Sequence, residues 1–166
     1  MRRTSWWRRL SRVAHFERGV FAEIAADRRA TWQGLGIVVA ASLIGGWRFL
    51  WPGDGEWHVA DWLLEEAGVA IASTLAATAL LWTVAKLGRG RGSAFGLWRG
   101  TAFAIAPIVL GVFGFLAQLI GAALATPLLV RAVAETQRVR TRVAIIAVAT
   151  RALLYAAFFG FVVVLH

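Results

Sequence analysis

The sequence predicts an all-α fold, a polytopic membrane helix bundle of five transmembrane helices plus an N-terminal amphipathic interfacial helix. Hydrophobic residues make up 59% of the 166 residues and charged ones only 16%, against about 25% charged in an average soluble domain. Long uncharged runs alternate with short basic clusters, as in proteins with several membrane spans. The length accommodates one helical bundle and no second domain.

The composition also excludes several kinds of chemistry. The chain has no cysteine, so it contains no disulfide, no thiolate metal site and no cysteine nucleophile. Its formal net charge is +9, but the basic residues cluster between apolar runs. That placement indicates contacts with anionic lipid headgroups on the inner side of a membrane, and we expect no nucleic-acid partner.

Residues 1–33 form a basic, aromatic leader that we expect to be cytoplasmic. No apolar signal-peptide core precedes Gly34. Wound as one helix, the leader has a broad apolar face, interrupted by Glu17, opposite a basic face with Arg8 and Arg12. We expect it to lie on the inner leaflet; docking on a partner protein is the alternative. The apolar face consists of Trp6, Trp7, Leu10, Val13, Phe16, Val20, Phe21 and Ile24.

Two spans follow the leader, at Gly34–Leu50 and Ala67–Leu87. The segment between them, Trp51–Glu66, holds five of the nine acidic residues and no Lys or Arg, without the spacing of a calcium-binding EF-hand loop. It is predicted to be an outward-facing hydrophilic loop. The glycine-rich Gly88–Gly96 matches neither a P-loop nor a dinucleotide-binding fingerprint, and is predicted to be a flexible basic loop against anionic headgroups.

The stretch Leu97–Gln137 is apolar for far longer than the about 20 residues that one span needs. Basic clusters precede and follow it, and basic residues in short loops stay on the inner side. One crossing would place one cluster outside, whereas two crossings keep both inside. We therefore predict a hairpin of two spans, Leu97–Val112 and Phe115–Val133, with a turn near Gly111–Gly114.

The last span is Val143–Leu165. Five spans place the N-terminus in the cytoplasm, every basic loop inside and the C-terminus outside. The predicted location is a cell membrane that the chain crosses several times, and its arginine-rich, cysteine-free composition is typical of a bacterial inner membrane protein.

Three segments carry a resemblance to a known family. FAEIAADRRATWQGLGIVVAAS enters the first span, WRGTAFAIAP (Trp98–Pro107) leads the third, and RAVAETQRVRTRVAIIA (Arg131–Ala147) joins the fourth to the fifth. In this order and spacing they resemble the Yip family of multispanning membrane proteins. The resemblance covers roughly residues 10–165 in layout and implies a five-span bundle with a cytoplasmic N-terminus.

Eukaryotic members of that family are linked to Rab GTPases and vesicle traffic. Their aspartate–tyrosine–glycine–proline motif is missing here, because the only tyrosine is Tyr155 in the last span. The resemblance therefore implies no Rab role. It points instead to the bacterial members, which are inner-membrane proteins of unknown function.

Arg151 lies inside the last predicted span, where an unpartnered arginine costs about 2.5–3.5 kcal/mol on insertion scales. It lines a polar cavity or binds a lipid headgroup, or else it extends inward to the interface or caps a backbone carbonyl in the bundle. Glu135 and Gln118 are its candidate partners. Arg99 and Gln118 are the strongly polar interruptions of the long apolar stretch. Pro107 removes the backbone hydrogen bond to Phe103 and is predicted to kink the third span, either as a packing feature or as an exposed backbone site of the kind transporters use.

Small residues four positions apart on the fourth span predict close helix contact. They are Ala117, Gly121 and Ala125.

The sequence contains no nucleophile–base pair and no metal-binding motif, and its histidines, His15, His58 and His166, lie outside the predicted spans. We expect no enzyme activity and no cofactor. The leading hypothesis is a non-enzymatic membrane protein that organises or stabilises membrane components, bound to anionic lipids and to other membrane proteins or itself. The alternatives are an accessory subunit of a larger complex and a small transporter or lipid-handling protein that uses Pro107 and Arg151.

Overall fold

The computed structural model describes residues 5–46 and 59–165. Within these ranges the chain is helical apart from short connections and contains no β-strand, which confirms the all-α prediction. The end of the first predicted span and the first half of the acidic loop, with His58, lie outside the described residues, as does His166. The elements are α1 (Trp6–Ala14), α2 (Val20–Ala26), α3 (Ala30–Gly46), α4 (Val59–Leu87), α5 (Ala94–Ala104), a 3₁₀ helix (Ala106–Phe113), α6 (Phe115–Gln137) and α7 (Thr141–Leu165).

Two helices in the described chain are long and apolar enough to cross a membrane: Leu63–Leu87 of α4 and Leu116–Gln137 of α6. The apolar helices Ala30–Ile44 and Ala94–Leu110 are shorter. Helix length and composition are therefore weak evidence for a membrane protein. They give two candidate spans, whereas the sequence predicts five. One reason is that the third predicted span is broken within its length.

The leader is two helices, not the single helix that the sequence predicted. Ser5 begins α1 by accepting a hydrogen bond from the Arg8 backbone N–H. After α1 the backbone takes positive φ values at Phe16 (54°) and Gly19 (79°). A right-handed helix cannot continue through such angles, so the chain turns and α2 starts at Val20.

Helix α4 begins at Val59, eight residues before the predicted second span at Ala67. The last part of the predicted loop is therefore helical, and Glu65 and Glu66 lie in its N-terminal turns. No Gly or Pro lies between Glu56 and Ala67 to stop the helix, and carboxylates favour the N-terminal end of a helix dipole.

Pro107 ends the α-helix instead of kinking it. Helix α5 stops at Ala104 and the chain continues as a 3₁₀ helix, in which the Ile108 N–H donates to the Ile105 carbonyl at 2.9 Å. Proline has no N–H to donate and its ring clashes with the preceding turn, which explains the change. The chain then reverses at Gly114, whose φ of 114° suits only glycine, and this turn lies in the range predicted for the hairpin.

The glycine-rich loop after α4 packs against the junction between α6 and α7. The sequence predicts a flexible loop, whereas the structure shows specific contacts. The Arg91 N–H donates to the Gln137 carbonyl at 2.9 Å. A Cβ added at Gly88 would lie 2.3 Å from Val143, and one at Gly92 would lie 2.1 Å from the Thr136 carbonyl oxygen. Only glycine allows the loop to approach so closely.

We predict that Gly121→Ala destabilises the bundle by about 1–3 kcal/mol, the usual cost of overpacking. The added Cβ would lie 2.3 Å from the Pro107 carbonyl oxygen, which is backbone and cannot move aside. Gly36→Ala is the matched control, because a Cβ there meets nothing within 4 Å and alanine favours a helix. Thermal unfolding in detergent measures both; equal melting temperatures for the two variants would contradict the prediction.

Candidate functional site

The turn between α1 and α2 is bound to the side of α6. The Phe21 N–H donates to the Glu135 carboxylate at 3.2 Å, and the Arg131 guanidinium donates to the same carboxylate at 3.2 Å. Arg131 also donates to the Phe16 carbonyl oxygen. One arginine and one glutamate, four residues apart on α6, thereby satisfy the backbone of a turn that is more than 100 residues away in sequence.

Ion pairs hold the two leader helices to each other, and a hydrogen bond from Arg9 holds them to α3. Arg9 is only 4% exposed, and its guanidinium donates to Asp27 and, at 2.7 Å, to Gln33 Oε1. The hydrogen bond from Arg9 holds the pKa of the Asp27 carboxyl below its ordinary value. The sequence pattern predicts no role for these three residues, because their contact depends on the turn between the helices.

Arg12 forms the second set of leader ion pairs, which lies nearer to solvent. Its guanidinium donates to Glu17 at 2.8 Å and to Glu23 at 2.5 Å. Donating hydrogen bonds to these two carboxylates raises the pKa of Arg12, and the hydrogen bond from Arg12 lowers the pKa of Glu17. Glu17, which interrupts the predicted apolar face, is therefore an ion-pair partner in the turn.

Arg99 joins α5 to the connection between α2 and α3. Its guanidinium donates to the Ala25 carbonyl at 2.6 Å and to the Thr31 hydroxyl at 2.8 Å. Carbonyl groups in the last turn of a helix lack intrahelical partners and carry partial negative charge, so a cation there is favourable. Arg99, which interrupts the apolar stretch in the sequence, therefore connects α5 to α2 and α3.

The broken helix at Pro107 packs closely on α6 at Gly121, while Ala125 is buried one turn further on and Ala117 is half-buried. Beside this contact lies an apolar cavity of about 350 Å³ between α1, the 3₁₀ helix and α6. Its size falls in the range of small-molecule pockets. Its lining consists of Leu10, Val13, Ala14, Phe16, Ala106, Pro107, Val109, Leu110, Leu124 and Leu128.

Arg151 faces a small polar cavity between α4, α5 and α7. Thr78 and Thr101 also line this space of about 20 Å³, and their buried hydroxyls are hydrogen-bonded to each other at 3.1 Å. The Arg151 guanidinium lies 5.6 Å from the centre of the Tyr155 ring, a cation–π contact. The structure does not pair Arg151 with either candidate partner. Glu135 is bound to Arg131 and Phe21, and the Gln118 side chain forms no hydrogen bond within the described chain.

The polar contacts around the leader therefore join segments of the chain. The apolar cavity is large enough to hold a further molecule, whereas the space at Arg151 has room for about one water. Across residues 5–46 and 59–165, no three His, Asp or Glu side chains are grouped so that they could hold a metal ion. No protein-family model, no curated protein and no solved structure matches the chain.

We predict that Glu135→Ala releases the leader from α6. The substitution leaves the Phe21 N–H and the Arg131 guanidinium without their shared acceptor, which costs about 1–3 kcal/mol. Amide hydrogen exchange in α1 and α2 should rise about tenfold or more, the factor that corresponds to about 1.4 kcal/mol. Glu65→Ala, at an exposed position of α4, is the control and should leave exchange in the leader unchanged. Equal exchange in both variants would contradict the role of Glu135.

We also predict that acid loosens the leader through Asp27. The pKa of Asp27 is lower in the folded protein than its ordinary value near 3.8, so folding gains stability from its ionised form. That contribution is present above about pH 4 and is lost as the pH falls through the lower, folded pKa. Hydrogen exchange of the leader between pH 5 and about pH 2.5, corrected for the intrinsic rate, measures the effect. Asp27→Asn should remove the Asp27 part of this dependence; an identical pH profile in the variant would refute it.

Proposed function

We propose that the chain is a non-enzymatic integral membrane protein of the Yip-like type that organises or stabilises other membrane components. The observation that carries the proposal is the apolar outer surface of the long helices. Only 22% of the apolar 18-residue segment of α4 is buried, and 33% of the corresponding segment of α6. The core helix of a soluble protein, by contrast, is mostly buried. Lipid or other membrane proteins would cover these surfaces. On α6 the outward residues are Leu116, Leu119, Ile120 and Leu124.

The helix lengths are compatible with five crossings. Helix α7 has 25 residues and rises about 37 Å. The 11 residues of α5 and the 8 of the 3₁₀ helix would rise about 32 Å if laid end to end, close to the roughly 30 Å of the hydrocarbon core. In this arrangement the leader and the basic loops lie in the cytoplasm of a bacterium and the C-terminus lies outside its inner membrane.

A close variant of the proposal is an accessory subunit of a larger membrane complex, for which the same outward faces would be the contact surfaces. The second candidate function is a small transporter or lipid-handling protein. The apolar cavity beside Pro107 favours it, whereas the space that Arg151 lines is too small for a solute. A cavity without a single polar side chain in its lining suits an acyl chain better than a polar solute.

Affinity purification in mild detergent tests the leading proposal. We expect other membrane proteins to be recovered in fixed stoichiometry with the full chain, because a partner covers part of the outer surface. In a matched set of variants the exposed residues of one helix at a time are replaced by alanine: Leu116, Leu119 and Ile120 on α6, or Leu153 and Leu154 on α7. One set should reduce recovery of the partner without reducing the yield of the chain. A wild-type chain that purifies with lipid alone would contradict the proposal and favour lipid handling.

The topology has its own test. A reporter fused to His166 should behave as an external domain, and one fused before Met1 as a cytoplasmic domain. The expected result follows from an odd number of crossings with the basic loops inside. A cytoplasmic reporter at both ends would show an even number of crossings and would refute the five-span arrangement.

A further inference from the structure

The two basic loops of the bundle form one surface. The loop 88–93 and the segment 138–142, which ends in the first turn of α7, are connected through the end of α6. The Gln137 side chain donates to the Ser93 carbonyl at 3.1 Å, and the Gln137 carbonyl accepts from the Arg91 N–H. A Cβ added at Gly90 would lie 3.3 Å from Val139, so the loops are also in direct contact. We call these two loops the arginine platform; its arginines are Arg89, Arg91, Arg138, Arg140 and Arg142.

The charges of the arginine platform have no counterion within the described chain. All five arginine side chains are exposed, and none forms an ion pair or hydrogen bond with a described residue. The sequence contains no Asp or Glu between Glu66 and Glu135, and none after Glu135. Glu135 itself is bound to Arg131 and the leader. Five neighbouring positive charges repel one another, so an external anion would stabilise this surface.

Exposed apolar side chains flank the arginine platform along the sequence. Leu87 is 82% exposed, Phe95 is 71% exposed, and Ile145 and Ile146 follow Arg142 on α7 with more than half of their surface exposed. A surface that binds a soluble anion or a nucleic acid does not need large apolar groups beside its cations. A phospholipid offers both chemistries, with phosphate at the headgroup and acyl chains just below it.

We propose that the arginine platform is a binding site for the phosphate groups of anionic phospholipids. The inference deepens the proposed function, since it rests on the helices lying in a membrane. Guanidinium groups suit the site because their planar forks bind phosphate oxygens through two hydrogen bonds at once. The loops are already held in place by the bonds of Gln137 and by glycine contacts, so binding does not have to order them first.

The test uses the full chain purified in detergent and counts bound lipids by native mass spectrometry. The probes are phosphatidylglycerol, which is anionic, and phosphatidylcholine, which has a phosphate but no net charge. The platform variant carries Arg138→Gln, Arg140→Gln and Arg142→Gln. The matched control carries Arg18→Gln, Arg28→Gln and Arg29→Gln, which remove the same charge from exposed leader arginines whose side chains pair with no described residue.

The wild-type chain and the control should bind phosphatidylglycerol at least fivefold more tightly than phosphatidylcholine, and the platform variant should lose at least tenfold in affinity for phosphatidylglycerol. A variant with lysine at the same three positions keeps the charge and should recover part of the affinity, which separates lost binding from misfolding.

Equal losses in the platform and control variants would overturn the proposal, because net charge alone would then explain binding. Displacement of the lipid by millimolar glycerol 3-phosphate would also overturn it, since the ligand would then be a soluble phosphate. If the chain recovers protein partners but shows no preference for phosphatidylglycerol, the lipid-site inference is refuted and the proposed function is not.

Discussion

Helix α5 packs against α2, α3, α4 and α6, and the small residues along it set how closely those helices approach. A Cβ added at Gly100 would lie 2.8 Å from the Thr136 side chain, and one at Gly34 would lie 2.9 Å from Ala102. Leu97 and Phe103 fill the remaining space and are completely buried. Dispersion contacts fall off steeply with distance, so this close approach strengthens the packing of these helices on one another.

The two polar residues of α5 are satisfied in ways that tie the rest of the molecule to it. Thr101 bonds to Thr78 beside the Arg151 cavity, and Arg99 bonds to the connection between α2 and α3. The leader is therefore fixed from two sides, by α5 at Ala25 and by Glu135 of α6 at Phe21. A leader held in this way moves together with the helices that it contacts.

Sequence patterns succeeded where a property is carried by many residues at once. Helix content and the turn at Gly114 follow from long apolar runs and from the separation of basic clusters, and neither requires knowledge of a contact. They failed at individual positions. The break at Phe16–Gly19 depends on backbone angles that the periodicity of the leader does not reveal. Glu17 interrupts the apolar face of a single helix, and the periodicity does not show that it forms an ion pair with Arg12.

For the candidate sites, too, the sequence identifies exceptional residues but not the residues that contact them. Arg151, Pro107 and Gly121 could be selected from the sequence because a charge, a proline or a glycine is exceptional within an apolar helix. Their partners could not, since Thr78, Thr101 and the Pro107 carbonyl reach them from other helices. Arg9, Asp27 and Arg131 gave no signal, because basic and acidic residues are ordinary in a charged leader and at a helix end.

By itself, the sequence determined a helical, strongly apolar chain with its positive charge in short loops, because composition and periodicity are local properties. Only the tertiary structure decided that the leader folds back onto α6, that Pro107 rests on Gly121, and that two distant basic loops form one surface. Each of these joins residues far apart in the chain. Such contacts depend on which helix faces come together, and the same apolar pattern is compatible with many pairings.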